Sequence, residues 1–191
     1  MNKAFVKESD DEPLSTLPEM PAGVRNYITP AGYQHMQIEL QHLLESRRFA
    51  TAKDGDDHDT DLIVDSSEIQ VREIEQRIHY LQTRLEKAEI IDPSAHAAEQ
   101  QIFFGASVTY GNEKDEQHTV MIVGLDELDP TNGKISWLSP VAQALLNAFE
   151  GDSVKLETPA GDEELYILTV LYPPIVEPDV DGAGLTNKSV E

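Results

Sequence analysis

Val71-Arg72-Glu73-Ile74-Glu75-Gln76-Arg77-Ile78-His79-Tyr80-Leu81-Gln82-Thr83-Arg84-Leu85-Glu86-Lys87-Ala88 is the stretch from which the fold follows. Val71, Ile74, Ile78, Leu81, Leu85 and Ala88 recur at alternating steps of three and four residues. That spacing builds the apolar seam of a coiled coil, with Arg72, Glu75, Arg77, Arg84 and Glu86 around it. Asp65-Ser66-Ser67-Glu68 reads as a capping box that opens the segment, with Asp65 as the cap and Glu68 three residues on. Pro93 closes it.

A seam needs a partner, and the sequence before it supplies one. Thr29-Pro30 is a helix start, because threonine caps the first free amides and proline suits the first helical position. Met36, Leu40 and Leu43 follow on one face, and no proline intervenes before Gly55. At helical rise, Pro30 to Ala52 makes a rod of roughly 35 Å. Between the two arms lies Asp54-Gly55-Asp56-Asp57-His58-Asp59-Thr60-Asp61, a polar turn dominated by aspartate. Two arms joined by a short turn predict an antiparallel coiled-coil hairpin over residues 27–92, with its acidic tip at 54–61.

Beyond residues 93–101, read as a linker, the pattern changes. Ile102-Phe103-Phe104 and Ser107 to Tyr110 read as strand, with Gly105 near a bend. Thr119 to Val123 and Ile135 to Leu138 are two more strands, separated by the Asp129-Pro130-Thr131-Asn132-Gly133 turn. Val141 to Ala148 reads as a short helix, and Val154 to Leu156 with Leu165 to Leu171 as a final hairpin. Residues 102–172 are therefore expected to form an antiparallel sheet with one short helix, and the chain as a whole is α+β. Trp137 and Phe149 are expected in its core. Residues 1–26 and 173–191, acidic and poor in apolar residues, read as disordered tails.

The chain has 191 residues, with 36 Asp and Glu against 14 Lys and Arg, for a formal charge of −22. Such a balance disfavours DNA binding, where cationic side chains dominate affinity. It suits a basic protein partner or a divalent cation. With no cysteine, disulfides, thiol catalysis and Cys-based zinc sites are excluded. No apolar run is long enough to span a membrane, and the start lacks a signal peptide. The expectation is a cytoplasmic protein.

Ser136-Trp137-Leu138-Ser139-Pro140-Val141-Ala142-Gln143-Ala144-Leu145-Leu146, closing on Gly151-Asp152, resembles the C-terminal signature of the bacterial Gre transcript-cleavage factors. Phe104 to Val108, Ile122 to Glu127 and Thr158 to Gly161 resemble the same domain in order and spacing. Tyr27 to Gly32, and Arg77 through Leu85 to Asp92, resemble the family's arms. The likeness spans about Tyr27 to Tyr172. It implies a coiled-coil finger followed by an FKBP-like domain that binds RNA polymerase, with Ser136, Ser139 and Pro140 in the binding signature. It implies further that the finger enters the secondary channel, where two tip acids help hold a magnesium ion shared with the polymerase. Two-metal phosphoryl chemistry then cuts backtracked RNA. The resemblance implies an accessory rather than an enzyme, with no cofactor of its own.

The family tip reads Gly-Asp-x-x-Glu-Asn-Ala-x-Tyr, where this chain has Gly55-Asp56-Asp57-His58-Asp59-Thr60-Asp61-Leu62-Ile63. Asp56 stands at the family's Asp and Asp59 at its Glu; Asp54, Asp57 and Asp61 add negative field or alternative ligands. The Asn-Ala-x-Tyr continuation is missing, and the outgoing arm is about two turns shorter, roughly 10 Å of reach. Polymerase binding without cleavage is thus an alternative outcome. A different class of reading is a calcium loop over residues 57–68, with carboxylates at positions 1, 3, 5, 9 and 12, but Leu62 occupies the position that calls for glycine. His58, alone among aspartates, reads as a neutral surface residue. Arg47, Arg48, Lys53, Arg72 and Arg77 read either as a strip that meets nascent RNA or as partners of Glu45, Glu73 and Glu75.

Overall fold

A computed structural model describes residues 20–53, 64–114, 116–159 and 161–172, with side-chain environments outside residues 50–53 and 64–68. The aspartate run 54–61, residues 57–63 of the calcium loop, and residues 1–19 and 173–191 of the tails lie outside the described residues. Strand β1 (Asn26–Ile28) leads into helix α1 (Pro30–Lys53); helix α2 (Val64–Glu86) is followed by strand β2 (Ala88–Ile90). Five further strands follow, β3 (Ser107–Asn112), β4 (Gln117–Val123), β5 (Lys134–Ser136), β6 (Ser153–Thr158) and β7 (Gly161–Leu171), with helix α3 (Pro140–Leu145) between β5 and β6.

Thr29 starts α1 as its sequence promised. Its hydroxyl accepts from the Gly32 amide at 3.0 Å, and its carbonyl accepts from the Tyr33 amide at 2.9 Å. Along α2 the seam residues Ile78 and Leu81 are buried, while the intervening Arg72, Glu73, Glu75 and Gln76 are exposed. Three expectations are corrected at the ends of this segment. Helix α2 already includes Asp65, so Asp65 is not its cap. It stops at Glu86, so Ala88 leaves the seam and joins β2. Strand β1 begins at Asn26, within the stretch read as a tail.

Strands β1 and β2 pair in parallel, Asn26 with Ala88, Tyr27 with Glu89 and Ile28 with Ile90. This pairing moves a domain boundary. The described part of residues 25–39 and 84–191 is one compact unit, and residues 40–53 with 64–83, the distal parts of α1 and α2, form another. The roots of both helices belong with the sheet, not with the rest of the helices.

The larger sheet has the order β5-β4-β3-β7-β6. It is mixed rather than antiparallel, because β5 runs parallel to β4. The crossover is made by a 3₁₀ turn, Pro130–Asn132, whose cap Asp129 accepts from the Asn132 side-chain amide at 2.6 Å. Gly133 ends that turn with φ of 70°, and a Cβ there would stand 2.8 Å from the Thr119 carbonyl. Glycine alone fits both demands.

Residues 102–104, expected as strand, are not one; the strand starts at Ser107, and the Ile102 amide bonds instead to the Ala148 carbonyl at 2.8 Å. The presumed linker 93–101 is structured as well. Asp92 caps a 3₁₀ turn at Pro93–His96 by accepting from the Ser94 amide at 2.8 Å. His96 stacks on Phe103 at 4.3 Å between ring centres.

Ile102, Ala106, Val108, Ile122, Ala142 and Leu145 are fully buried between the sheet and α3. Each of the larger ones contributes about 1.5–3 kcal/mol of burial. In β7 the alternation breaks once. Thr109 pairs Thr169 but Tyr110 pairs Ile167, leaving Leu168 as the extra residue of a bulge. The bulge lets Leu165 and Ile167 on one side and Val170 on the other all face the core. Phe149 is 48% exposed, against the expectation of core packing, while Trp137 packs on the core edge.

Candidate functional site

The residues singled out from sequence fall in two places. Asp56, Asp57, Asp59 and Asp61 lie outside the described residues. Ser136, Ser139 and Pro140 are described, and the structure brings them together at the turn from β5 into α3. There the two serines have local duties. Ser136 is buried, and its hydroxyl accepts from the Leu138 amide at 3.1 Å. Ser139 caps α3 by accepting from the Ala142 amide at 3.2 Å. Pro140, exposed, occupies the first helical turn, where its missing N–H costs nothing. Trp137 between them lies 5.2 Å from Tyr27, centre to centre, and Tyr27 also meets Phe104 edge-on at 6.0 Å. An aromatic group thus joins the signature turn to β1. Farther along the arms, Arg77 lies over the Tyr80 ring at 5.1 Å.

A second constellation went unread in the sequence. The turn Gly124-Leu125-Asp126-Glu127 follows β4 and carries two acids that face different elements. The Asp126 carboxylate meets the Arg84 guanidinium, at the end of α2, at 2.8 Å between Oδ1 and Nε. Their side chains are 2% and 8% exposed. The Glu127 carboxylate accepts from the Thr29 amide at 2.9 Å, from the Thr29 hydroxyl, and from the Gly124 amide at 3.3 Å. One turn therefore holds the start of α1 through one acid and the end of α2 through the other. The roots are also bound to each other. The Asn26 side-chain amide donates to the Arg84 carbonyl at 3.1 Å, and the Ile91 amide to the Ile28 carbonyl at 2.9 Å.

The signals for this collar were present but weak. Arg84 sits three residues after Leu81, on the inner side of the helix, where a cation demands a buried partner. Gly124 is required by close approach, since a Cβ there would overlap the Tyr27 carbonyl oxygen. At the rim, Glu89 lies 3.2 Å from Arg25 and raises the guanidinium pKa above its ordinary value. The hydrogen bonds from Ser94 hold the Asp92 carboxyl below the usual carboxylate range.

Residues 97–172 match the family described as transcription elongation factor, GreA/GreB, C-terminal. Transcription elongation factor GreB of Neisseria meningitidis serogroup B is 40% identical over 161 residues, covering 80% of this chain and 98% of that protein. Transcription elongation factor GreA of Xanthomonas axonopodis is 36% identical over 156 residues, covering 78% of this chain and 99% of that one. Among solved structures, GreA factor homolog 1 of Thermus thermophilus is 26% identical, with a TM-score of 0.35, over 77% of this chain and 99% of that one. Among the described residues, no helix is long and apolar enough to cross a membrane.

Proposed function

Because this chain belongs to the GreA/GreB family of transcription elongation factors, we propose that it binds RNA polymerase and stimulates the polymerase to cleave its own backtracked RNA. The observation that carries this reading is the likeness to GreB over 161 residues, which takes in the helical arms as well as the sheet domain. On this reading α1 and α2 form an antiparallel coiled-coil finger, and residues 102–172 are an FKBP-like domain that docks on the polymerase. The finger passes through the secondary channel, close to the nascent RNA. The factor is an accessory that acts where the polymerase is, in the cytoplasm, and DNA is not its ligand at a charge of −22.

Asp56 and Asp59 are the acids this chain lends, with Asp57 and Asp61 beside them. Carboxylate oxygens are the donors magnesium prefers, so the donor set fits an ion shared with the polymerase. Such an ion, when bound, supplies charge stabilisation and an activated water for phosphodiester hydrolysis. Asp56 and Asp59 would supply oxygens to the ion and help position the water, and Asp57 and Asp61 would add negative charge beside them. Aspartate at this place is one methylene shorter than the family's glutamate, which favours weak cleavage or channel occupancy alone as a second reading.

The test is a stalled, backtracked elongation complex with purified polymerase. RNA shortening that disappears in Asp56→Ala and Asp59→Ala supports cleavage. Slower synthesis without shortening supports occupancy, and absence of polymerase binding overturns the proposal.

A further inference from the structure

The collar has a use beyond holding the fold together. We propose that Asp126 and Glu127 are positioning residues, which fix the direction in which the first turns of α1 and the last turn of α2 leave the sheet. Three features point to alignment rather than stability alone. The two acids are adjacent in sequence yet serve different arms, so neither root can shift without the other being felt through one turn. The contacts differ in kind. Asp126 makes a buried pair with Arg84 at 2.8 Å, while Glu127 receives both the amide and the hydroxyl of Thr29. A carboxylate that takes two donors of one residue fixes orientation as well as distance. Finally, a buried ion pair offers little net stability over an apolar replacement, which leaves geometry as the role this pair is proposed to serve.

The turn itself is held against sliding. A Cβ on Gly124 would overlap the Tyr27 carbonyl, and one on Gly32 would overlap the Glu127 carboxylate. Backbone and carboxylate are therefore in close contact on both sides of the turn. β1 and β2 add a parallel ladder, so the roots are joined side by side as well as to the turn. Small errors at a root grow along a helix, and misplacing a reacting group by about 1 Å costs on the order of 10²-fold in rate.

The proposal rests on the cleavage reading above, and its test separates the two. The chain has no cysteine, so Gln37→Cys and Ser153→Cys, both at exposed positions, accept a single pair of spin labels on the α1 root and the sheet. In the full chain the label distance is expected to be narrowly distributed, and to shift or broaden in Glu127→Gln and in Asp126→Asn. Unchanged distances in variants that melt cooperatively overturn the proposal. With polymerase, the half-saturating concentration of the variants is expected to stay within about threefold of wild type. The maximal cleavage rate is expected to fall by about 10- to 100-fold. Loss of affinity with full cleavage at saturation overturns it too. Should the wild-type chain bind but not cleave, the cleavage reading fails and the label distances alone decide. Arg84→Lys, which keeps the charge, is expected to recover part of the rate lost in Arg84→Met.

Discussion

Arg84 and Asp126 form a buried ion pair, Nε to Oδ1 at 2.8 Å, that fastens the last turn of α2 to the turn after β4. Removing one partner leaves a buried charge without its counter-ion. Asp126→Ala is therefore expected to destabilise the protein by about 3–5 kcal/mol. The double variant Arg84→Met, Asp126→Leu should cost far less than Asp126→Ala alone. Thermal or urea melts of wild type, Arg84→Met, Asp126→Leu and the double variant give the coupling directly.

The tip residues should behave in the opposite way. Asp56→Ala and Asp59→Ala are expected to leave stability within about 0.5 kcal/mol of wild type while abolishing RNA shortening. Asp59→Glu restores the family's longer side chain and should increase cleavage. Gel analysis of a backtracked complex at saturating factor is the measurement, and no gain in Asp59→Glu would detach Asp59 from the role given to it.

Gly124→Ala puts a methyl group into the Tyr27 carbonyl. Backbone cannot yield as a flexible side chain does, so a loss of about 1–3 kcal/mol is expected. Trp137, the single tryptophan, packs on Tyr27. Its fluorescence should report displacement of β1 in this variant even where the sheet remains folded.

Ser139→Ala removes the cap of α3 and is expected to cost about 1 kcal/mol. Gly or Asp at this position should recover much of that loss. A weaker polymerase affinity that tracks the melting temperature across these variants assigns Ser139 to structure, whereas an affinity loss in the stable Asp variant assigns it to contact.

Asp129 sets an acid limit. Hydrogen bonds from Thr131 and Asn132 hold its carboxyl below the usual carboxylate range. A carboxyl depressed in the folded state contributes stability that is present above its unfolded value, about 3.9, and is lost as pH falls through the lower folded value. Asp129→Asn should thus lower the melting temperature slightly in the neutral range, where that contribution is present, leave the acid end little changed, and so flatten the acid limb below about pH 4.

Much of the fold was legible because it is written in periodicity. The three-four spacing from Val71 to Leu85 and the start at Thr29-Pro30 gave both helices, and the turn at Asp129 to Gly133 separated β4 from β5. The misses share a cause. Parallel pairing, of β1 with β2 and of β4 with β5, joins segments whose partners no local pattern announces. The run Ile102-Phe103-Phe104 is as apolar as a strand, but the Ile102 amide goes to the Ala148 carbonyl at the helix exit and the Phe103 amide to the Tyr172 hydroxyl rather than to a neighbouring ladder. The candidate tip was legible as composition, whereas the collar was not, because Arg84, Thr29, Asp126 and Glu127 meet only through tertiary structure. An inward-facing arginine at Arg84 and a glycine at Gly124 were the local hints.

The parallel pairing of Ile28 with Ile90 places the entry and exit of the whole helical excursion side by side. The segment between them is in effect a cassette inserted at one seam. Loop-closure entropy grows so slowly that doubling such an excursion adds only about 0.6 kcal/mol. Matched insertions or deletions in α1 and α2 can therefore lengthen or shorten the rod without the sheet registering the change. Reach can change while the sheet and the helix roots stay constant, and chimaeras that exchange residues 40–83 should fold on either base.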